Sequence, residues 1–145
     1  MTEEREGAML KAGPRSDMSE IAPFQRHLGV TRINAKEGRS EVVLGVLEAT
    51  RNYKGETHGG VIAALMDIAM SRAVRSVDPD VWGLSTISMT VNYLVPGLGT
   101  LLARGHVVRC GRTIAVAEAE IAGEDGTEVA RASGVFRVIR NAPAP

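Results

Sequence analysis

The sequence predicts an α+β protein in which a strongly curved antiparallel sheet wraps around one long central helix. Three observations carry this expectation. Val61 to Val74 is a run of some fourteen residues, nearly all apolar and good helix formers, too long for a buried strand and too short for a membrane span. Its apolar groups fall on every side, which places the helix inside the structure rather than on its rim. Leu84 to Val95 alternates cleanly, with Ile87, Met89, Val91 and Tyr93 to one side and Thr86, Ser88, Thr90 and Asn92 to the other, the signature of a strand with one apolar face. Finally, Ala115, Ala117 and Ala119 on one predicted strand and Ala130, Ala132 and Gly134 on the next form a face of small side chains that lets a helix approach the sheet closely.

The elements follow in chain order. Residues 1–17 read as a polar, flexible tail, residues 18–140 as one domain and 141–145 as a second short tail. Ser19 is placed to cap a short helix through Phe24 and Leu28 that Gly29 ends, with Pro23 tolerated in its first turn. Val30 to Ala35 and Arg39 to Ala49 read as strands joined by a turn at Lys36-Glu37-Gly38. The second carries apolar groups on both faces and is expected in the sheet interior. After the long helix, stopped by Asp78-Pro79, come strands at Leu84–Val95, Leu101–Arg109, Thr113–Ala122 and about Glu128–Ile139, taken as a four-strand meander. Pro96-Gly97-Leu98-Gly99, Gly111 and Gly123-Glu124-Asp125-Gly126 supply the turns.

Bulk properties narrow the function. A formal net charge of zero gives no electrostatic reason to expect nucleic acid or an anionic membrane as partner. The opening Glu3, Glu4, Arg5 and Glu6 lack the profile of a signal peptide, and no apolar run is long enough to span a bilayer. One cysteine, Cys110, excludes an internal disulfide and fits the reducing cytoplasm, the compartment expected here. His27 and His106 show no metal-ligand spacing, so no metal is expected, and no dinucleotide or phosphate-binding glycine loop appears.

The chemistry concentrates where the long helix begins. Asp67 is the lone carboxylate among Leu65, Met66, Ile68, Ala69 and Met70, and a carboxylate in such surroundings needs a polar site or a task. His58-Gly59-Gly60 opens the helix, where unpaired backbone N–H groups point outward at the positive end of the dipole. Glycines there admit a close ligand such as a developing oxyanion, although a glycine turn needed only for packing has the same spacing. Asp67 follows Gly59 by eight residues, about 12 Å along a helix axis. The two groups therefore meet on one small carbonyl only if two copies lie antiparallel across a two-fold axis, which makes an obligate homodimer with two equivalent sites the expected assembly.

With Asn52 leading to His58-Gly59-Gly60, Asp67 nine residues beyond the histidine, the Thr86–Val91–Asn92–Tyr93–Pro96 strand and Gly111-Arg112-Thr113, the chain from about Pro23 to Ile139 resembles the hotdog-fold acyl-CoA thioesterases of the phenylacetate-degradation type. The resemblance implies the hotdog fold and hydrolysis of an acyl-CoA to free acid and coenzyme A. It implies no cofactor beyond the coenzyme A that the substrate carries. Asp67 would be the carboxylate that activates water or attacks the carbonyl itself, and the Gly59 N–H the oxyanion donor with Gly60 beside it. His58 and Asn52 would orient the thioester and fix the loop, and Thr86 would position the water or the carboxylate. Coenzyme A would run past the segment Arg109 to Thr113, where Arg112 or Arg109 can meet phosphate. Family members often assemble as dimers of dimers, and Ser88, Thr90 and Asn92 form a polar face suited equally to that contact or to solvent. The alternative is a hotdog domain that binds acyl-CoA as sensor or carrier without hydrolysis. The acyl group, and whether Asp67 is base or nucleophile, stay open at this level.

Overall fold

The computed structural model describes residues 19–140; the tails expected at 1–17 and 141–145 lie outside them. Its elements are α1 (Pro23–Leu28), β1 (Val30–Lys36), β2 (Arg39–Leu44), a single 3₁₀ turn (Glu48–Thr50), α2 (Gly59–Arg75), β3 (Gly83–Tyr93), β4 (Leu101–Cys110), β5 (Ile114–Ala122) and β6 (Glu128–Ile139). All strand pairings are antiparallel, in the order β1-β2-β4-β5-β6-β3. This is the hotdog arrangement: one long helix held against a six-stranded sheet.

The helix is buried as its composition requires. Leu65, Met66, Ala69, Met70, Ala73 and Val74 are fully enclosed, and burying each of the larger ones contributes about 1.5–3 kcal/mol. The small-residue face works as its spacing predicts. Ala115, Ala117, Ala119, Ala130 and Ala132 are all buried under the helix. The closest approach is on β4, where a Cβ added to Gly105 would fall 2.7 Å from the carbonyl carbon of Ala69 and from Ser40 Oγ. Buried Ser40 donates to that same Ala69 carbonyl (2.6 Å), fixing the helix along its axis two residues beyond Asp67.

Four expectations need correction. α1 starts at Pro23 rather than after a Ser19 cap: proline's fixed φ suits the first helical position, and Gln25 Oε1 accepts from the Ala22 N–H (2.8 Å). β2 ends at Leu44, because beyond Gly45 the chain leaves the ladder for the 3₁₀ turn and carries Val46 and Leu47 to the surface. β2 nonetheless lies inside the sheet, between β1 and β4. The last four strands do not form a meander. β3 pairs with β6, and the segment 94–100 carries the chain past the start of α2, where the Gly97 carbonyl accepts from the Thr57 N–H (2.9 Å).

The fourth correction concerns β3. A bulge between Thr86 and Ser88 leaves Ile87 unpaired. Before it, Leu84 and Thr86 lie opposite the buried Val138 and Phe136. After it, Met89, Val91 and Tyr93 lie opposite the buried Gly134, Ala132 and Ala130. One extra residue reverses the alternation, so Thr86 joins the helix-facing side and Ile87 is left 55% exposed.

Candidate active site

The loop leading to α2 is built by Asn52. Its Oδ1 accepts from the N–H groups of Lys54 (2.9 Å) and Glu56 (3.1 Å), its backbone pairs with Glu56 and Gly55, and an Arg51–Thr57 bridge closes the loop. His58 follows as the N-cap, with φ −59° and ψ 138°, and its N–H is held by the Thr50 carbonyl (2.8 Å).

The first-turn donors of α2 can be accounted for individually. The Gly60 N–H donates to His58 Nδ1 (2.9 Å). Those of Val61 and Ile62 both donate to the His58 carbonyl (2.9 and 3.1 Å). Only the Gly59 N–H has no acceptor among the described residues, in the place where the helix dipole favours negative charge. Gly60, expected beside it as a second substrate contact, already has its N–H engaged by the histidine. The Gly59 carbonyl is in turn tied down by Tyr93, whose hydroxyl donates to it at 2.7 Å.

Two turns further along α2, half-buried Asp67 accepts from Thr86 Oγ1 through Oδ1 at 2.7 Å. Oδ2 accepts no hydrogen bond from any described residue. Thr86 reaches the carboxylate only because the β3 bulge turns it inward. A carboxylate with one oxygen anchored and the other open is oriented but still able to take a proton or attack a carbon.

The remaining sites sit at the Asp67 end of the sheet. Thr86 on β3 and Ala115 on β5 flank Phe136 from opposite sides, so the corner of Gly111, Arg112 and Thr113 lies near the start of β3. Arg109, Arg112 and Thr113 are exposed there. Arg140 clamps the corner, donating to the carbonyls of Gly111 (2.9 Å) and Arg112 (3.1 Å) and to Asp78 Oδ2 (2.8 Å). The Asp80 N–H, and after it the Arg140 guanidinium, hold the Asp78 carboxyl below its ordinary pKa. Elsewhere, His106 pairs with Glu118 at 3.3 Å, and no three metal-ligating side chains converge among the described residues.

A single chain thus holds two separated clusters. One contains Asn52, His58, Gly59, Gly60 and Tyr93; the other contains Asp67 and Thr86, with the corner of Arg109, Arg112 and Thr113 set apart from them across β6. β3 touches both, through Tyr93 at one end and Thr86 at the other. The roles of Tyr93 and Arg140 were not visible in the sequence. A tyrosine closing an apolar-alternating strand reads as packing, and an arginine at a chain's end reads as solvated.

A family model described as the thioesterase superfamily matches residues 54–130, a span that holds His58, Gly59, Asp67, Thr86 and Tyr93 but begins after Asn52. Over 125 residues the chain is 38% identical to a Halobacterium salinarum protein named as a candidate esterase, covering 79% of this chain and 83% of that one. It is 29% identical over 107 residues to acyl-coenzyme A thioesterase 13 of Homo sapiens, covering 72% and 76% of the two chains. Among solved structures, a Streptococcus pneumoniae protein described as a hypothetical thioesterase, determined with coenzyme A, is similar with a TM-score of 0.69 at 28% identity, covering 77% of this chain and 87% of that one.

Proposed function

Because the chain belongs to the thioesterase superfamily, we propose that it hydrolyses an acyl-CoA thioester in sites built between two copies of itself. The observation that carries this reading is Asp67: a carboxylate in the apolar middle of α2, between Met66 and Ile68, with Oδ1 anchored by Thr86 and Oδ2 open.

In one route Asp67 takes a proton from water as the water oxygen attacks the thioester carbonyl. In the other, Oδ2 attacks first, and water then opens the resulting anhydride. In both, the carbonyl oxygen becomes negative and is met by the Gly59 N–H. The tetrahedral intermediate collapses with cleavage of the C–S bond, and coenzyme A leaves as thiolate, taking up a proton to give the free thiol. Thiolate is a good leaving group, so an oriented carboxylate and one well-aimed donor are enough.

The pairing of copies follows from the positions. Ala63 lies midway between Gly59 and Asp67. Two α2 helices crossing antiparallel at Ala63 therefore bring each Gly59 to the other's Asp67. Gly60, Ala63, Asp67 and Ser71 leave that side of α2 small and part-exposed, as a close helix crossing needs. β3 obeys the same symmetry, since the edge away from β6 has no strand partner among the described residues. Two β3 strands paired antiparallel about Met89–Thr90 bring Thr86 of one copy opposite Tyr93 of the other. An unpaired edge of this length calls for cover.

Within the superfamily we place the chain with the phenylacetate-degradation type, on the motif set from Asn52 to Thr113. Coenzyme A then runs past the clamped corner, with Arg109 and Arg112 facing its phosphates. Ser88, Thr90 and Asn92, exposed on β3, suit the contact between dimers in a dimer of dimers. The free Cys110 thiol suits a reducing cytoplasm. The test is thiol release from a panel of aryl-acetyl, hydroxybenzoyl and medium-chain acyl-CoA substrates. Turnover of at least one of them is expected, and no thiol release from any overturns the assignment.

A further inference from the structure

Two consecutive glycines at the start of a helix leave its first turn loosely restrained, because neither carries a Cβ to limit φ and ψ. An oxyanion donor needs the opposite, since its value lies in being aimed before charge develops. The first turn of α2 meets this need from outside. The peptide between Gly59 and Gly60 is gripped at both ends: its N–H by His58 Nδ1 (2.9 Å) and its carbonyl by the Tyr93 hydroxyl (2.7 Å). The Tyr93 ring also lies against Gly59, with Cε1, Cζ and Oη at 3.5–3.6 Å from where a Cβ would stand.

We infer that Tyr93 is a positioning residue for the oxyanion donor: the free Gly59 N–H belongs to the preceding peptide, whose carbonyl is held by the Val61 and Ile62 N–H groups, and Tyr93 anchors the peptide on the other side of the Gly59 Cα, so that the N–H keeps its aim. This rests on the thioesterase reading above. Tyr93 is 52% exposed, so water could satisfy its hydroxyl and burial alone does not require the bond to Gly59. The same strand also carries Thr86, whose hydroxyl holds Asp67. β3 therefore acts as a ruler with a hydroxyl near each end, one fixing the carboxylate and the other fixing the donor. Where two copies pair along β3, the ruler of each copy sets one half of both sites.

The experiment is Tyr93→Phe, which removes the hydroxyl and keeps the ring. Steady-state kinetics on the best acyl-CoA of the panel should show kcat lowered roughly 10- to 100-fold, the scale at which small misplacements act, with KM within about twofold of the parent. Amide exchange at Gly60, followed by NMR, should accelerate about tenfold or more as the peptide loosens. An unchanged kcat, or a change confined to KM, overturns the inference. If Asp67→Asn abolishes turnover in the same assays, the thioesterase reading survives that failure. Should the parent protein hydrolyse nothing, the Gly60 amide still decides: unchanged exchange in Tyr93→Phe removes Tyr93 from any positioning role.

Discussion

Asp67→Asn keeps the side chain's shape and its contact with Thr86 while removing the charge that takes a proton or attacks carbon. Turnover should fall roughly 10²–10⁴-fold with the thermal melt unchanged, and near-parental turnover would take Asp67 out of the mechanism. A sharper variant is Gly59→Pro. Gly59 is the first helical residue, where proline is well accommodated, and the preceding His58 at φ −59°, ψ 138° already has the backbone that a following proline demands. Its N–H makes no bond within the described residues, so the substitution deletes the donor and little else. A folded protein with kcat lowered about 10²–10³-fold is expected; full activity would show that the oxyanion is held elsewhere. Asp67 and Gly59 could be singled out from sequence because each breaks a local pattern, a charge in an apolar run and glycines at a helix start. Thr86 could not be placed, because a one-residue bulge reverses the parity that sequence alternation assumes.

At the scale of elements, composition identified the helix and all six strands, and missed what depends on pairing partners. The end of β2 is hidden in the sequence because Val46 and Leu47 look like strand residues but lie beyond the ladder, which ends at Leu44. The β3–β4 connection is not legible in the sequence, because the Pro96-Gly97-Leu98-Gly99 turn does not reveal whether it joins neighbours or crosses the end of a helix. The small-residue face, by contrast, is legible, since the run of Ala115, Ala117, Ala119, Ala130, Ala132 and Gly134 leaves room for a close helix, with Ile121 and Phe136 filling the space beyond it. Gly105→Ala tests it: the new methyl meets the Ala69 backbone, which cannot swing aside. It should destabilise the protein by about 1–3 kcal/mol in chemical denaturation, and no change would mean that the helix floats above the sheet. The Arg140 clamp has its own signature. The Asp78 carboxyl titrates below its ordinary value, so its contribution is present at neutral pH and is lost as pH falls through that lowered value. Asp78→Asn should therefore lower the melting temperature at pH 7, with the loss shrinking as pH falls through that lowered value; an equal loss at every pH would show that neither the Asp80 N–H nor Arg140 favours the ionised carboxylate.

For the whole molecule, the separation of Gly59 from Asp67 along one helix converts a statement about catalysis into one about assembly. Ala63→Trp places a large ring where the two α2 helices are proposed to cross. Sedimentation should then find monomers, with turnover lost although Asp67, Thr86 and Gly59 are untouched. The most direct measurement is complementation between two inactive variants. Asp67→Asn and Gly59→Pro are each nearly dead alone, because every site in either homodimer lacks one partner. Mixed in equal amounts, unfolded and refolded together, half of the dimers are hybrids, and each hybrid holds one site with both Asp67 and Gly59 intact. Shared sites predict recovery to about a quarter of the parental activity. If the mixture stays as inactive as its components while hybrids are shown to form, each chain carries its own complete site and the account is wrong.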